Sequence, residues 1–141
     1  MATLWLVDPA TLPKPSAKTR KIGRKPLFDL AGLQAAISTG VLEDDDVWLA
    51  TRSSDEGLQV LEWTIGDLLG CVRCLQANDH RGAEWCDNGK NKWFACDAYS
   101  IRYDDTRRCR NPHSDVEYYL KFSIDENGSL TLIMIRVHLS R

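Results

Sequence analysis

The chain has 141 residues, 43% of them hydrophobic and 27% charged, with a net charge of −2. That length suits one domain with a real core, the balance is ordinary for a globular protein, and no apolar run approaches the ~18 residues that cross a bilayer. The opening MATLWLVDPATLPKP lacks the basic and long apolar regions of a signal peptide, so a cytoplasmic location is expected.

The charge is unevenly spread. Residues 1–40 carry six Lys/Arg against two acids, residues 41–87 three against eleven, and residues 88–141 nine against seven. A chain polarised in this way offers one surface to a polyanion while another repels it. The pI near 5.9 is nevertheless low for a nucleic-acid binder.

Residues 1–26 read as a basic, proline-rich arm punctuated by Pro9, Pro13, Pro15 and Pro26. It is either a solvated tail or a segment that contacts phosphates without regard to sequence. Residues 27–141 form the folded domain. A first helix is expected from Asp29, as amino-terminal cap, to about Ser38 before Gly40, with Leu30, Leu33 and Ile37 as its apolar stripe. After the acidic EDDD, VWLAT reads as a short strand. Ser53 to Glu56 then reads as a capping box opening a second helix, with Leu58 and Leu61 inward. Thr64 and Asp67 open a third, in which Ile65, Leu68, Leu69, Val72 and Leu75 keep helical spacing.

HRGAEWCDNGKNKW is turn-rich and reads as a hairpin or a mobile loop. WFACDAYSIRY is rich in strand formers, and DDTRRCRNPHSD reads as a basic loop that clusters Arg107, Arg108 and Arg110 near His113. Helices followed by consecutive antiparallel strands make an α+β domain: an antiparallel sheet packed with about three amino-terminal helices.

Five cysteines, an odd number, point to reduced thiols. Cys71 and Cys74 form a CxxC, with Cys86, Cys96, Cys109, His80 and His113 as possible further zinc ligands. The pair falls inside a helix with no turn residue between its members, and no second pair has matching spacing. Small buried hydrophobes, rather than metal ligands, are expected.

The closing hairpin is the most informative segment. Asn127-Gly128 favours a two-residue turn with positive φ at both positions. That turn pairs Glu126 with Ser129 and puts Leu120 opposite Ile135, Phe122 opposite Ile133 and Ile124 opposite Thr131 on one apolar face. The other face then carries Tyr119 opposite Arg136, Lys121 opposite Met134 and His138 opposite Glu117. A solvated face explains this pattern, but an imidazole, a phenol and two cations together suit proton transfer and the stabilisation of a phosphate-centred transition state.

Three stretches resemble the MqsR family, the mRNA interferase toxins of type II toxin–antitoxin systems. FDLAGLQAAI is similar to that family's opening helix, VWLATRSSDEGLQVLEWTIGDLLGCVRCL to its strand and two helices, and YLKFSI with LIMIRVHLSR to its closing hairpin. CDAY resembles the family's Gln-Asp-Val-Tyr. The likeness covers most of residues 27–141 and leaves the basic arm outside. The chain departs from the pattern at Cys96, where the family has Gln. It also departs near Ala83-Glu84-Trp85-Cys86, which lacks the lysine of the family's Phe-Tyr-Lys-Ser, so that Lys90 or Lys92 would have to supply the charge.

The resemblance implies a RelE-like fold and an endoribonuclease that cleaves mRNA without metal or other cofactor, and it implies a cognate antitoxin protein as partner. Its catalytic tyrosine falls on Tyr119 and its terminal-strand Lys or His on His138. In that scheme His138 is the acid or base, Arg136 and Lys121 stabilise the transition state, Tyr119 orients the substrate or donates a proton, and Glu117 holds the His138 tautomer. Arg102, Arg107, Arg108, Arg110, Lys90 and Lys92 are backbone-contact candidates, and Trp85 and Trp93 are candidates for base stacking. The competing readings are a non-catalytic RNA- or protein-binding module on the same fold and a zinc-stabilised interaction protein.

Overall fold

The computed structural model describes residues 3–16 and 18–140; Met1, Ala2, Ala17 and Arg141 lie outside the described residues. Among the described residues three helices, α1 (Leu30–Ser38), α2 (Arg52–Leu61) and α3 (Ile65–Cys74), accompany seven strands: β1 (Lys21–Gly23), β2 (Val47–Leu49), β3 (His80–Asp87), β4 (Trp93–Asp104), β5 (Cys109–Arg110), β6 (Glu117–Asp125) and β7 (Thr131–Leu139). The strands form one sheet in the order β1-β3-β4-β6-β7-β2, with β5 paired to β4. Every pairing is antiparallel except that of β2 with β7. The architecture is α+β, and among the described residues no helix is long and apolar enough to cross a membrane.

Local signals account for the helices. The Asp29 carboxylate accepts the Gly32 amide at the start of α1, and Gly40 follows the helix at φ +80°. The Thr64–Asp67 box opens α3 as its sequence suggests. For α2 the expected box is displaced: the cap is Thr51, reciprocated by Ser54, and the helix begins at Arg52. The Thr51 hydroxyl donates to the Ile135 carbonyl at 2.6 Å, so contact with the neighbouring strand selects the earlier cap. The sheet then buries Leu33, Leu58, Leu68 and Val72 against Tyr99, Ile101, Leu120, Phe122, Leu132, Met134 and Val137. This helical face is the main core.

The turn-rich segment after α3 is a strand, β3, which hairpins into β4 through residues 88–92, the last four of them exposed. The basic arm is no free tail. Trp5 bridges Phe28, Leu4, Val7 and Leu12 pack on the core, and β1 extends the sheet by pairing with β3. Asp97, fully buried on β4, accepts the amides of Leu27 and Phe28 at 3.0 and 3.1 Å and lies 2.9 Å from His80 Nε2.

The closing hairpin differs from its expected register. Asp125 pairs with Thr131, Ile124 with Leu132, Ser123 with Ile133 and Phe122 with Met134, a slip of one residue. Only Gly128 of the Asn-Gly pair takes positive φ. The Glu126 carboxylate accepts the amides of Leu4 and Trp5 at 2.9 and 3.1 Å, so Glu126 serves the arm rather than pairing with Ser129. Asp125 accepts the Asn127 amide at 2.8 Å, tightening the longer loop. A second shift then falls at a bulge, where Ile135 has no partner between the pairs Phe122–Met134 and Lys121–Arg136. Ile133 and Ile135, expected in the main core, therefore lie on the opposite, open face in a small cluster with Ala50, Cys86, Phe94 and Cys96.

Two substitutions test this packing. Asp97→Ala strips the acceptor from two buried amides and is expected to cost about 3 kcal/mol or more in urea unfolding. Gly57→Ala in a free helix would stabilise by about 1 kcal/mol. Here a Cβ would overlap the Val137 carbonyl oxygen, so the same measurement should find the variant less stable than wild type.

Candidate functional site

The bulge has a consequence for side-chain direction. Without it, Lys121 would face Ile135 and Tyr119 would face Val137, and Arg136 and His138 would be driven into the apolar core. With it, Lys121 pairs with Arg136 and Tyr119 with His138, and all four stand on the open face. The expected convergence of these residues is thus observed, but with other partners. His138 is opposite Tyr119 rather than Glu117, and Arg136 is opposite Lys121 rather than Tyr119. Glu117 pairs across to β4 instead, where its carboxylate lies 3.8 Å from Arg102. It does not hold His138.

The His138 and Tyr119 rings stack, with centroids 5.2 Å apart. His138 Nδ1 lies 2.9 Å from the Leu139 carbonyl oxygen. A carbonyl only accepts, so Nδ1 carries the proton and the neutral ring keeps its lone pair on Nε2. All four tyrosines are described: Tyr99, Tyr103 and Tyr118 are buried in the main core, where desolvation pushes their phenols up, whereas Tyr119 is half-buried on the open face. Of the other imidazoles, His80 is buried against Asp97 and His113 lies in the exposed loop after β5.

The Lys121 ammonium lies 5.6 Å over the Tyr119 ring and forms an ion pair with Glu84 of β3. Burial alone would push it down; the hydrogen bond to Glu84, with neighbouring Cys86 and Tyr119, leaves it above the ordinary lysine value and therefore charged. Glu84 and Lys121 meet because the residue opposite Lys121 on the intervening strand is Ala98. A pocket of about 260 Å³ opens beside the pair, bounded by Lys121, Arg136, Glu84, Cys86, Arg20 and the α2 cap Thr51. The amino terminus of α2 adds its partial positive charge there.

The expected arginine cluster is not brought to this face. Arg108 pairs with Asp67 at the start of α3, on the helical side, Arg110 pairs with Asp79, and Arg107 lies 3.9 Å from Asp104. Arg102 is on the open face beside Glu117. Lys90 and Lys92 lie in the β3–β4 turn, with the Lys92 ammonium 5.4 Å over Phe94. Trp85 donates to the Pro13 carbonyl at 2.9 Å and packs on the core, so it anchors the arm; Trp93 is covered by Arg20 at 5.1 Å. Sequence reasoning missed Glu84 and Arg20 as neighbours of Lys121, since only the pairing of β1, β3 and β4 brings them near β6.

Cys71 and Cys74 lie on α3, and among the described residues no three His, Cys, Asp or Glu side chains are grouped to hold a metal ion. A concavity of about 790 Å³ lies between α1, α3 and the acidic turn at Glu43–Asp45, and among the described residues no imidazole or phenol lines it. The imidazole, the phenol and the cations of the closing hairpin thus lie on the open face and not in that concavity. Comparison of the chain with protein-family models, with curated proteins and with solved structures finds no match.

The site contains one perturbed thiol with a direct readout. The neighbouring Cys96 thiol holds the Cys86 thiol below the ordinary cysteine value, burial opposes this, and Lys121 adds to the lowering. Alkylation of Cys86, followed by peptide mass spectrometry across pH, should reach its half-maximal rate below the pH of an ordinary cysteine. Cys96→Ala or Lys121→Met should move that midpoint upward; an unmoved midpoint in both would contradict the arrangement.

Proposed function

We propose that this protein is a metal-independent endoribonuclease of the RelE-like, MqsR type, an mRNA interferase that acts in the cytoplasm and is held by a cognate antitoxin. The observation that carries the reading is the Tyr119–His138 stack beside Lys121 and Arg136 on an open sheet face. An imidazole with a free Nε2, a phenol and two cations supply what RNA self-cleavage needs and nothing more. The resemblance of residues 27–141 to that family supports the same reading.

In the proposed step His138 Nε2 takes the proton of the 2′-hydroxyl, and the 2′-oxygen attacks the adjacent phosphorus. The bond to the 5′-oxygen breaks, and Tyr119 donates a proton to that leaving oxygen. The products are a 2′,3′-cyclic phosphate and a 5′-hydroxyl, and solvent exchange resets both groups. Arg136 and Lys121 neutralise charge that builds on the non-bridging oxygens, a stabilisation that grows towards the transition state. Lys121 takes part only by leaving or sharing Glu84. That ion pair favours one second reading: a face that binds RNA or protein without cutting it.

Incubating the protein with a long single-stranded RNA in EDTA, and mapping the ends, tests the proposal. Discrete fragments with 5′-hydroxyl ends are expected, and His138→Ala should slow their appearance about 10²–10⁴-fold. A folded His138→Ala protein that cuts at the wild-type rate removes His138 from the mechanism. Fragments that vanish in EDTA refute the metal-independent step, and binding without fragments selects the second reading.

A further inference from the structure

The arm that lies outside the family likeness reaches the open face, and its position there has a chemical use. In the middle of β4, between Phe94 and Arg102, the residues facing away from the helices are Cys96, Ala98 and Ser100, all small and all buried. Their neighbours rise higher: Glu84 on β3 at one side, Lys121 and Tyr119 on β6 at the other. The result is a shallow trough along β4, between strands about 10 Å apart, which the Glu84–Lys121 ion pair bridges.

The trough continues past Glu84 to the edge of the sheet. A second pocket of about 500 Å³ runs from Tyr119 and Ala98 to Lys21 and Arg24 of the arm and Arg81 of β3. Glu84 lines this pocket and the one at Arg136 alike, so the Glu84–Lys121 pair separates an inner and an outer part of the trough. Gly23 and Gly82 lie at its outer rim. A Cβ at Gly23 would meet nothing within 4 Å, and Gly82 holds φ +128° at the β3 irregularity. The rim therefore stays low where a strand would pass. Lys21 and Arg24 are exposed, and no described salt bridge uses either of them. In contrast, Arg108 and Arg110 are occupied by acids on the helical side.

We propose that this outer half of the trough, formed by Lys21 and Arg24 with Arg81, is a binding site for the phosphodiester backbone of single-stranded RNA flanking the phosphate held at His138. The inference rests on the ribonuclease reading of the face and extends it: the arm supplies affinity and the hairpin supplies chemistry. Contacts to the backbone carry no base preference, so the outer half adds binding strength without sequence selection.

The test uses the full chain and a fluorescein-labelled 2′-O-methyl oligonucleotide of mixed sequence, which lacks the attacking hydroxyl and is not cut. Anisotropy titrations across a range of salt concentrations compare wild type, Lys21→Ala/Arg24→Ala, and Lys14→Ala/Lys18→Ala as a charge-matched control elsewhere on the arm. The first double variant should bind about tenfold more weakly, and its logarithmic salt slope should fall by about 1.4, two single-strand phosphates' worth. The control should match wild type. Equal losses in both double variants, or none in either, would overturn the trough while leaving the ribonuclease reading intact. A wild type that neither binds this probe at low salt nor cuts RNA would overturn both.

Discussion

The Asp97 carboxylate is the interaction on which the rest of the molecule hangs. It is fully buried and would be costly there without partners. It accepts the Leu27 and Phe28 amides and contacts His80, and so joins the end of the arm, the start of β3 and the middle of β4 at one point. With that point held, α1 begins two residues later at Leu30 and the arm returns to pair β1 with β3. Its alternation along β4 also matters. Asp97, Tyr99 and Ile101 face the helices, which leaves Cys96, Ala98 and Ser100 for the other side.

The open face depends on a second local feature, the bulge in β7. A regular ladder would have buried Arg136 and His138, at the cost of placing a cation and an imidazole in an apolar core. The extra residue, Ile135, turns the following side chains over, and Val137 fills the core in their place. Beside the bulge Thr51 caps α2 and also bonds the Ile135 carbonyl, so one hydroxyl serves the helix and the irregular strand together. Further along, α2 approaches β7 at Gly57 more closely than any side chain would permit. The strand end that carries His138 is thereby backed by a helix.

Ion pairing differs from one cation to the next. On the helical side Arg108 pairs with Asp67 and Arg110 with Asp79. On the open face Lys121 has Glu84, but Arg136, Lys21 and Arg24 have no partner among the described salt bridges. A chain with a small net negative charge thus presents a cationic strip, consistent with the polyanion partner proposed for it. Pairing, rather than composition, decides which of the eighteen Lys and Arg residues remain available.

Much of this was legible in the sequence wherever the determinant is local. The caps at Asp29 and Thr64, the helical spacing of α3, the CxxC within that helix and the α+β order all follow from residues within one or two turns of each other. The grouping of Tyr119, Lys121, Arg136 and His138 was also legible, though for an incomplete reason. The turn slips the register by one residue and the bulge by one more, and a shift of two restores the same face. What the sequence could not supply are effects carried by distant partners. Glu126 is drawn from the turn by the amides of Leu4 and Trp5, Thr51 is selected as a cap by Ile135, and Arg108 and Arg110 are withdrawn by acids more than thirty residues away. Glu84 and the arm cations join the site because sheet order, not chain order, makes β1 and β3 neighbours. A periodicity reports which side a residue faces; only the packed sheet decides which strand stands beside it.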